Sequence, residues 1–388
     1  MWKYRVLRRA IIGVLTLVVA AIIVADSIVQ FSLPEEDGTY VVPGLTAVVT
    51  IDFDANHIPK IHAENRKDAY EALGYSTARD RFFQMDLSRR SASGRLAEIF
   101  GESAIEADMR YRTLGLERLA STVIGRLSAD HRDVLAAYSA GVNKAVGEML
   151  ILPVEFIFLD YQPEPWRPED CVLVLLGLSA RHSHNTSQER FATIMRRALP
   201  AKTVEFLTPD GNCYNEILAP HGPLRCTADA AAPFDEIAEL LRDADKRKTS
   251  GHVIAPEAQQ GSNAWVVGQQ RSRDGRAIMA NDMHLRLSAP GVWYRAELNY
   301  GPFHLRGLTI PGVPFIVAGS NGHVAWGLTS VEGDFTDLVR IEQAADSAKY
   351  RTTLGETPFL TRKETINIRG RSAHELVVQE TVWGPISP

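Results

Sequence analysis

The chain has 388 residues, 45% of them hydrophobic and 23% charged, the composition of a globular protein with room for two ordinary domains or one large one. Its net charge of −5 argues against a dedicated nucleic-acid binder, which needs concentrated Lys and Arg to hold phosphate. The histidines show no HExxH spacing and the 3 cysteines no CxxC pair, so no transition-metal centre is legible.

The first segment stands apart from the fold. Lys3, Arg5, Arg8 and Arg9 precede an apolar run from Ala10 to Ala25. A basic start followed by such a run is an export signal or a short membrane anchor. Sixteen residues fall short of the roughly 20 that span a bilayer comfortably, and Asp26 interrupts any extension through Ile28, Val29 and Phe31. Either reading places the rest of the chain outside the cytoplasm, on the periplasmic or extracellular side, and confines membrane contact to residues 1–31.

Residues 32–46 are polar and carry Pro and Gly, as a linker does. The β-branched stretch from Ala47 to Phe53 predicts a strand, Asp54-Ala55-Asn56 a turn, and Ile58 to His62 a second strand closing a hairpin. Over 66–92, Ala69, Leu73, Ala78, Phe82 and Met85 recur at the spacing of one buried helix face. Helical pattern resumes at about 116–125 and 130–150, where Val134, Ala137, Tyr138, Gly141, Val142 and Ala145 mark a face and Pro153 ends the stretch. Tyr161 to Pro168 reads as a loop. Residues 169–180 and 187–198 read as helices, the latter with Phe191, Ile194 and Met195 inward. Arg79-Asp80-Arg81 and Arg89-Arg90 read as structural charge clusters. Cys171 lies in the apolar run to Leu176 and is expected buried. Cys213 and Cys226 flank a turn-rich segment and form the pair that an oxidising compartment would join.

From 227 to 260 the chain is charged or small-residue, with one short helix at 235–245, and reads as a linker or removable spacer. Beyond Gly261 the texture changes to short apolar or alternating runs divided by Gly, Pro, Asn and Asp. Asn263–Gly268, Ala277–Ala280, Val292–Tyr300, Phe303–Ile310 and Phe315–Ala318 predict strands, and 361–382 continues the pattern.

Two motif blocks stand in order on this scaffold. The first comprises Asp54, Ile58-Pro59, Ile61 and Ala63; then Gly74-Tyr75 and Ala78 to Asp86; then Arg89-Arg90 and Gly94 to Glu98 with Phe100-Gly101. The second comprises Gly261 to Gly268; then Asn281-Asp282-Met283-His284-Leu285; then Ala325-Trp326-Gly327-Leu328-Thr329; then Gly333-Asp334 and Asp337. Together they resemble the penicillin acylase family, the first block the start of its α chain and the second the start of its β chain. His57 stands where that family commonly has Gly.

The resemblance implies an exported precursor that cuts itself into α and β chains. It implies an α+β fold, the αββα sandwich of N-terminal-nucleophile hydrolases, with residues 32–210 as a mostly helical α-chain region, 211–261 as spacer and 262–388 as the start of a β-rich nucleophile domain, incomplete at the C-terminus. It also implies a small-molecule amide substrate, such as a penicillin-type side chain or an N-acyl homoserine lactone. No organic cofactor is implied.

The chemistry fits the residues. A serine hydroxyl is a poor nucleophile until a base takes its proton, and the chain shows no GxSxG elbow. Self-cleavage between Gly261 and Ser262 would give Ser262 its own base, a free α-amine with a pKa near 8. Gly261, without a Cβ, permits a strained peptide and close approach of the attacking oxygen. By resemblance Asn263 sits beside the nucleophile and His284 hydrogen-bonds the nucleophile or its amine. The backbone N–H of Ser330, with Val331 as the alternative in register, serves as one oxyanion donor, and an asparagine further along the family's β chain than residue 388 serves as the second. Asp334, the carbonyl of Thr336, and Asp337 match a structural calcium site, to which Glu189 is the α-chain candidate; hard cations take such oxygen donors. The alternative expectation is a truncated, non-catalytic fragment or binding remnant of such an enzyme, favoured by the abrupt end at Pro388 and opposed by the intact Ser262, Asn263 and His284.

Overall fold

The computed structural model describes residues 2–34, 37–182, 185–208, 232–247, 261–285, 287–330 and 336–387. The paired cysteines expected at 213 and 226, Arg286, and the candidate residues Val331 and Asp334 lie outside them.

The helices are α1 (Trp2–Ser32), α2 (Arg66–Ser93), α3 (Ala97–Phe100), α4 (Ile105–Leu114), α5 (Leu116–Arg126), α6 (Ala129–Glu148), α7 (Val154–Phe158), α8 (Pro168–His182), α9 (Asn185–Ala198), α10 (Ala201–Leu207) and α11 (Phe234–Arg247). The strands are β1 (Thr50–Phe53), β2 (Pro59–Ala63), β3 (Ser262–Val267), β4 (Ile278–Met283), β5 (Tyr294–Tyr300), β6 (Phe303–Thr309), β7 (Ala318–Ser320) and β8 (Ala325–Trp326), followed by β9 (Lys349–Thr352), β10 (Gly355–Pro358), β11 (Leu360–Ile366), β12 (His374–Thr381) and β13 (Gly384–Pro385). The architecture is mixed helix and sheet.

The chain divides into two compact units. One comprises Met1–Arg181, Gly261–Val331 and Glu342–Pro388; the other comprises His182–Gln260 and Glu332–Ile341. Residues 261–331 thus return to the unit that holds residues 1–181, and strand pairing explains why. A six-stranded sheet runs β1-β2-β5-β6-β7-β8. The predicted hairpin forms its first two strands, with Ile51 opposite Ile61, and β2 then pairs in parallel with β5, Ile61 opposite Leu298.

Helix α2 covers this sheet. Its start is set by Asn65, whose side chain accepts from the Asp68 N–H. All five residues predicted for its inner face are buried. Helix α6 packs on α2 closely enough that a Cβ on Gly141 would come within 1.9 Å of the Glu71 carbonyl oxygen, and one on Gly74 within 2.1 Å of that of Tyr138. Only glycine at both positions permits the approach. The common core gathers Ile61, Leu73, Phe82, Tyr138, Trp166 and Leu298. Cys171 is buried there as expected, and burial pushes its thiol up to about 12, which keeps it inert.

The Arg89-Arg90 cluster is tied into the core. The Asp86 carboxylate, fully buried, accepts from Arg89 Nε and Arg90 Nε, each at 2.9 Å, and from the Tyr161 hydroxyl at 2.9 Å. Arg89 reaches on to Asp170 at 2.9 Å and Arg90 to Glu98 at 2.6 Å. Each buried charge of this cluster thus has a partner, the condition on which such charges are tolerated.

Several expectations need correction. The first strand starts at Thr50, because Val48 is exposed and unpaired in the sheet. Helix α6 ends at Glu148, and Pro153 stands at the start of α7, where its missing N–H costs nothing. Ile194 is 55% exposed while Met195 is buried, so the inward face of α9 is narrower than predicted. The apolar N-terminal run continues through Asp26 as a single 31-residue helix, and Tyr4–Ser32 is long and apolar enough to cross a membrane.

Candidate functional site

Ser262 is the first residue of β3 and is half-buried. It stands opposite Met283, the last residue of β4, in an antiparallel hairpin of two strands. The alternation Ser-Asn-Ala-Trp-Val-Val has the β-branched and aromatic content that favours a strand. Gly261 precedes it outside any regular element. His284 follows Met283 directly, so the sequence-predicted nucleophile and histidine meet at the same end of one hairpin. There the chain turns at once, Leu285 N donating to the Met283 carbonyl at 2.8 Å.

The His284 ring is held by its neighbour. Nε2 lies 2.8 Å from Asp282 Oδ2, and both side chains are exposed. Within β4 the strand period of two puts Asp282 on one side of the ribbon and Asn281 and Met283 on the other.

Asn281, on the opposite face from Asp282, is the residue that residue-by-residue reasoning missed. Its Nδ2 donates to the carbonyl of Asn263 at 3.1 Å and to the carbonyl of Leu328 at 3.0 Å. Its Oδ1 accepts from Leu328 N at 3.1 Å. One amide thereby binds the residue after the nucleophile to the Trp-Gly-Leu-Thr segment. Gly327 makes room for it: a Cβ there would lie 2.6 Å from Asn281 Oδ1. The segment is fixed from the other side by Trp326, whose Nε1 donates to the Ile316 carbonyl at 3.0 Å, and by β8 pairing with β7. Ser330 follows two residues after Leu328 and is exposed. The signal for Asn281 was its place in the Asn-Asp-Met-His-Leu block, where the histidine draws attention because it titrates.

Of the calcium candidates, Glu189, Thr336 and Asp337 lie in the second unit. Glu189, in α9, accepts from the Leu338 backbone N–H at 3.1 Å through Oε2, which brings it to the residue following Asp337. Thr336 is half-buried and Asp337 exposed. Among the described residues no cluster of three His, Cys, Asp or Glu side chains at metal-holding distance occurs.

A cavity of about 1170 Å³ opens elsewhere, between the 33–58 segment, α2 and the start of β5. None of the candidate residues lines it.

A family model described as penicillin amidase matches residues 48–388. Penicillin acylase 2 proenzyme of Pseudomonas sp. (strain SE83) is 36% identical over 366 residues, covering 92% of this chain and 46% of that protein. The acyl-homoserine lactone acylase QuiP of Pseudomonas aeruginosa is 31% identical, covering 92% of this chain and 42% of its own length. A solved structure of the thermostable penicillin G acylase from Alcaligenes faecalis is 26% identical, with a TM-score of 0.39, covering 47% of this chain and 97% of the other. The chain thus spans under half the length of the curated relatives it matches. A family match running from the first strand of the sheet to the last residue, together with a relative of this identity, carries one conclusion: the chain belongs to the penicillin amidase family.

Proposed function

We propose that the chain is the N-terminal part of an exported acyl-amide hydrolase that cuts itself between Gly261 and Ser262 and uses the freed Ser262 as nucleophile. The observation that carries this reading is the Asn281 clasp, which ties the nucleophile strand to the segment leading to Ser330. In the reaction the Ser262 Oγ attacks the acyl carbon and its proton passes to the Ser262 α-amine. The Ser330 N–H donates to the oxyanion, and preorganised donors of this kind stabilise the charge where it develops. The amine leaves with a proton, and water then releases the acid from the acyl-serine. His284, oriented by Asp282, stands at the amine end of the strand and is assigned to hold that group. Asn263 flanks it. The αββα layering belongs to this reading.

The names of the relatives suggest the substrate class: the acyl amide of a penicillin or of an N-acyl homoserine lactone. Glu189, Asp337 and the Thr336 carbonyl, with Asp334, would hold a calcium ion. Their hard oxygen donors suit it, and the Glu189 contact with Leu338 draws the two segments together. The ion would pin these segments and supply no chemistry. Residues 1–31 act in export.

Intact mass and N-terminal sequencing of the product, from this chain and from a longer reading frame, test the proposal. A fragment beginning Ser-Asn-Ala-Trp is the expected result. Absence of any cut in both products overturns it and leaves a binding remnant of the fold.

A further inference from the structure

Helix α1 is exposed along almost its whole length. Among its described residues only Ser27, Ile28 and Ser32, all in its last two turns, are partly shielded. It touches α7. Around α7 the surface is unusually apolar. Met149 to Phe158 contains one charged residue, Glu155, and exposes Leu150 (85%), Ile157 (49%) and Phe158 (85%). Contiguous exposed apolar groups of this kind mark an interaction site. The patch is rigidly mounted, because the intervening Phe156 is buried and packs on Phe82 at 5.6 Å, Phe83 at 5.4 Å and Tyr161 at 5.0 Å.

Length fixes the depth of this patch. The 29 residues from Tyr4 to Ser32 extend about 43 Å as a helix, against a hydrocarbon core of about 30 Å. With Lys3, Arg5, Arg8 and Arg9 held at the cytoplasmic face, the Ala10–Ala25 run covers about 24 Å of that core, and Asp26 to Ser32 pass from its outer leaflet into the headgroups. Ser27, Ile28 and Ser32, the partly shielded residues of α1, lie at that level.

We propose that α1 is retained as an anchor and that Leu150, Ile157 and Phe158 form a second, interfacial contact seated in the outer leaflet of the same bilayer. The occupant is lipid, since the patch is continuous with a helix whose own solvent is lipid. Two contacts on one rigid body restrict its tilt, which a single helix on a linker does not. The inference rests on the export reading but not on the amidase reading.

The test uses the full chain with Phe158→Trp, reconstituted into phosphatidylcholine vesicles containing brominated lipid and compared with the unsubstituted chain. Intact mass of the membrane fraction comes first, and a product lacking residues 1–31 overturns the inference while leaving the amidase reading untouched. With α1 present, the added indole fluorescence is expected to be quenched by bromines high in the acyl chain, within about 5–10 Å of the headgroup boundary, and little by bromines at the chain ends. No quenching at either depth overturns the inference and gives the patch to solvent or a protein partner. Leu150→Glu with Phe158→Glu, at positions too exposed to disturb the core, should abolish shielding of the 149–158 segment from aqueous labelling while α1 keeps the protein in the membrane.

Discussion

Asn281 and Leu328 hold each other by two hydrogen bonds, the side-chain amide of one donating to the carbonyl and accepting from the N–H of the other, at 3.0 and 3.1 Å. Such a pairing copies a β-bridge with a side chain and so fixes a backbone segment that has no strand neighbour of its own on that side.

The first prediction follows from that contact. Asn281→Ala, in the enzyme carrying its full reading frame, should lower kcat for acyl-amide hydrolysis by about 100-fold, the cost of a misplaced catalytic group. KM should move much less, and Asn281→Asp, which keeps only the acceptor, should fall between. The measurement is steady-state turnover, with the rate of chain cutting followed in parallel; unchanged kcat would remove Asn281 from the site.

Asp86 is the buried hub of the core of α2. Asp86→Ala removes the carboxylate that the buried Arg89 and Arg90 share and leaves each with one carboxylate partner, Asp170 and Glu98. Removing one partner of a buried ion pair costs about 3–5 kcal/mol. The urea midpoint should drop accordingly, and Asp86→Asn should drop it less because it still accepts hydrogen bonds. A midpoint within error of the parent would contradict the assigned role.

His57 has a positive φ of 55°, in the turn where the family commonly has glycine. A left-handed backbone costs a side-chain-bearing residue roughly 1–2 kcal/mol. Glycine removes that cost but loses about 0.5–1 kcal/mol of unfolded-chain entropy. His57→Gly should therefore stabilise by about 0.5 kcal/mol, read as a higher urea midpoint. A fall would mean that the ring, 6.3 Å from that of Phe53, contributes more than the turn loses.

Acid stability carries a signature at Glu164. The Arg95 guanidinium, donating to its carboxylate, draws Glu164 from its ordinary 4.5 down to about 2. A depressed carboxylate stabilises the fold above the unfolded value and loses that contribution as pH falls toward the folded one. Glu164→Gln should lower stability at neutral pH and flatten the loss between pH 4.5 and about 2. Since the side chain is half exposed, solvent screening keeps the effect small. Melting temperatures of both proteins across that window decide it; parallel curves would refute the assignment.

Much of the fold was legible where burial imposes a period. Ala69, Leu73, Ala78, Phe82 and Met85 were readable because a long helix under a sheet repeats one apolar face. Ser262 was readable beside a strand's start, but its pairing with the strand that ends before His284 was not, since the predicted second strand stopped at Ala280. Asn281 was not, because its partners are backbone groups of Asn263 and Leu328, and a backbone partner leaves no mark in the sequence of either segment. The parallel pairing of β2 with β5 was invisible for a similar reason, since neither strand's composition names its neighbour. Ile194 shows the opposite failure, an apolar residue that the periodicity turned inward and the structure leaves exposed.

The pairing of β2 with β5 also bears on the history of the molecule. Asn299 Nδ2 reaches the Ile61 carbonyl across 238 residues of sequence, so the central sheet cannot close until synthesis has passed Tyr300. While the backbone is continuous, regaining that sheet after denaturation is a first-order process of one molecule. A break before Ser262 converts it into an encounter between two molecules, whose rate depends on dilution and whose loss of translational freedom has no counterpart in the intact chain. Maturation by such a break would work as a ratchet: the sheet must be assembled before the bond is cut, and once it is cut, unfolding is a loss that the separated pieces do not readily reverse.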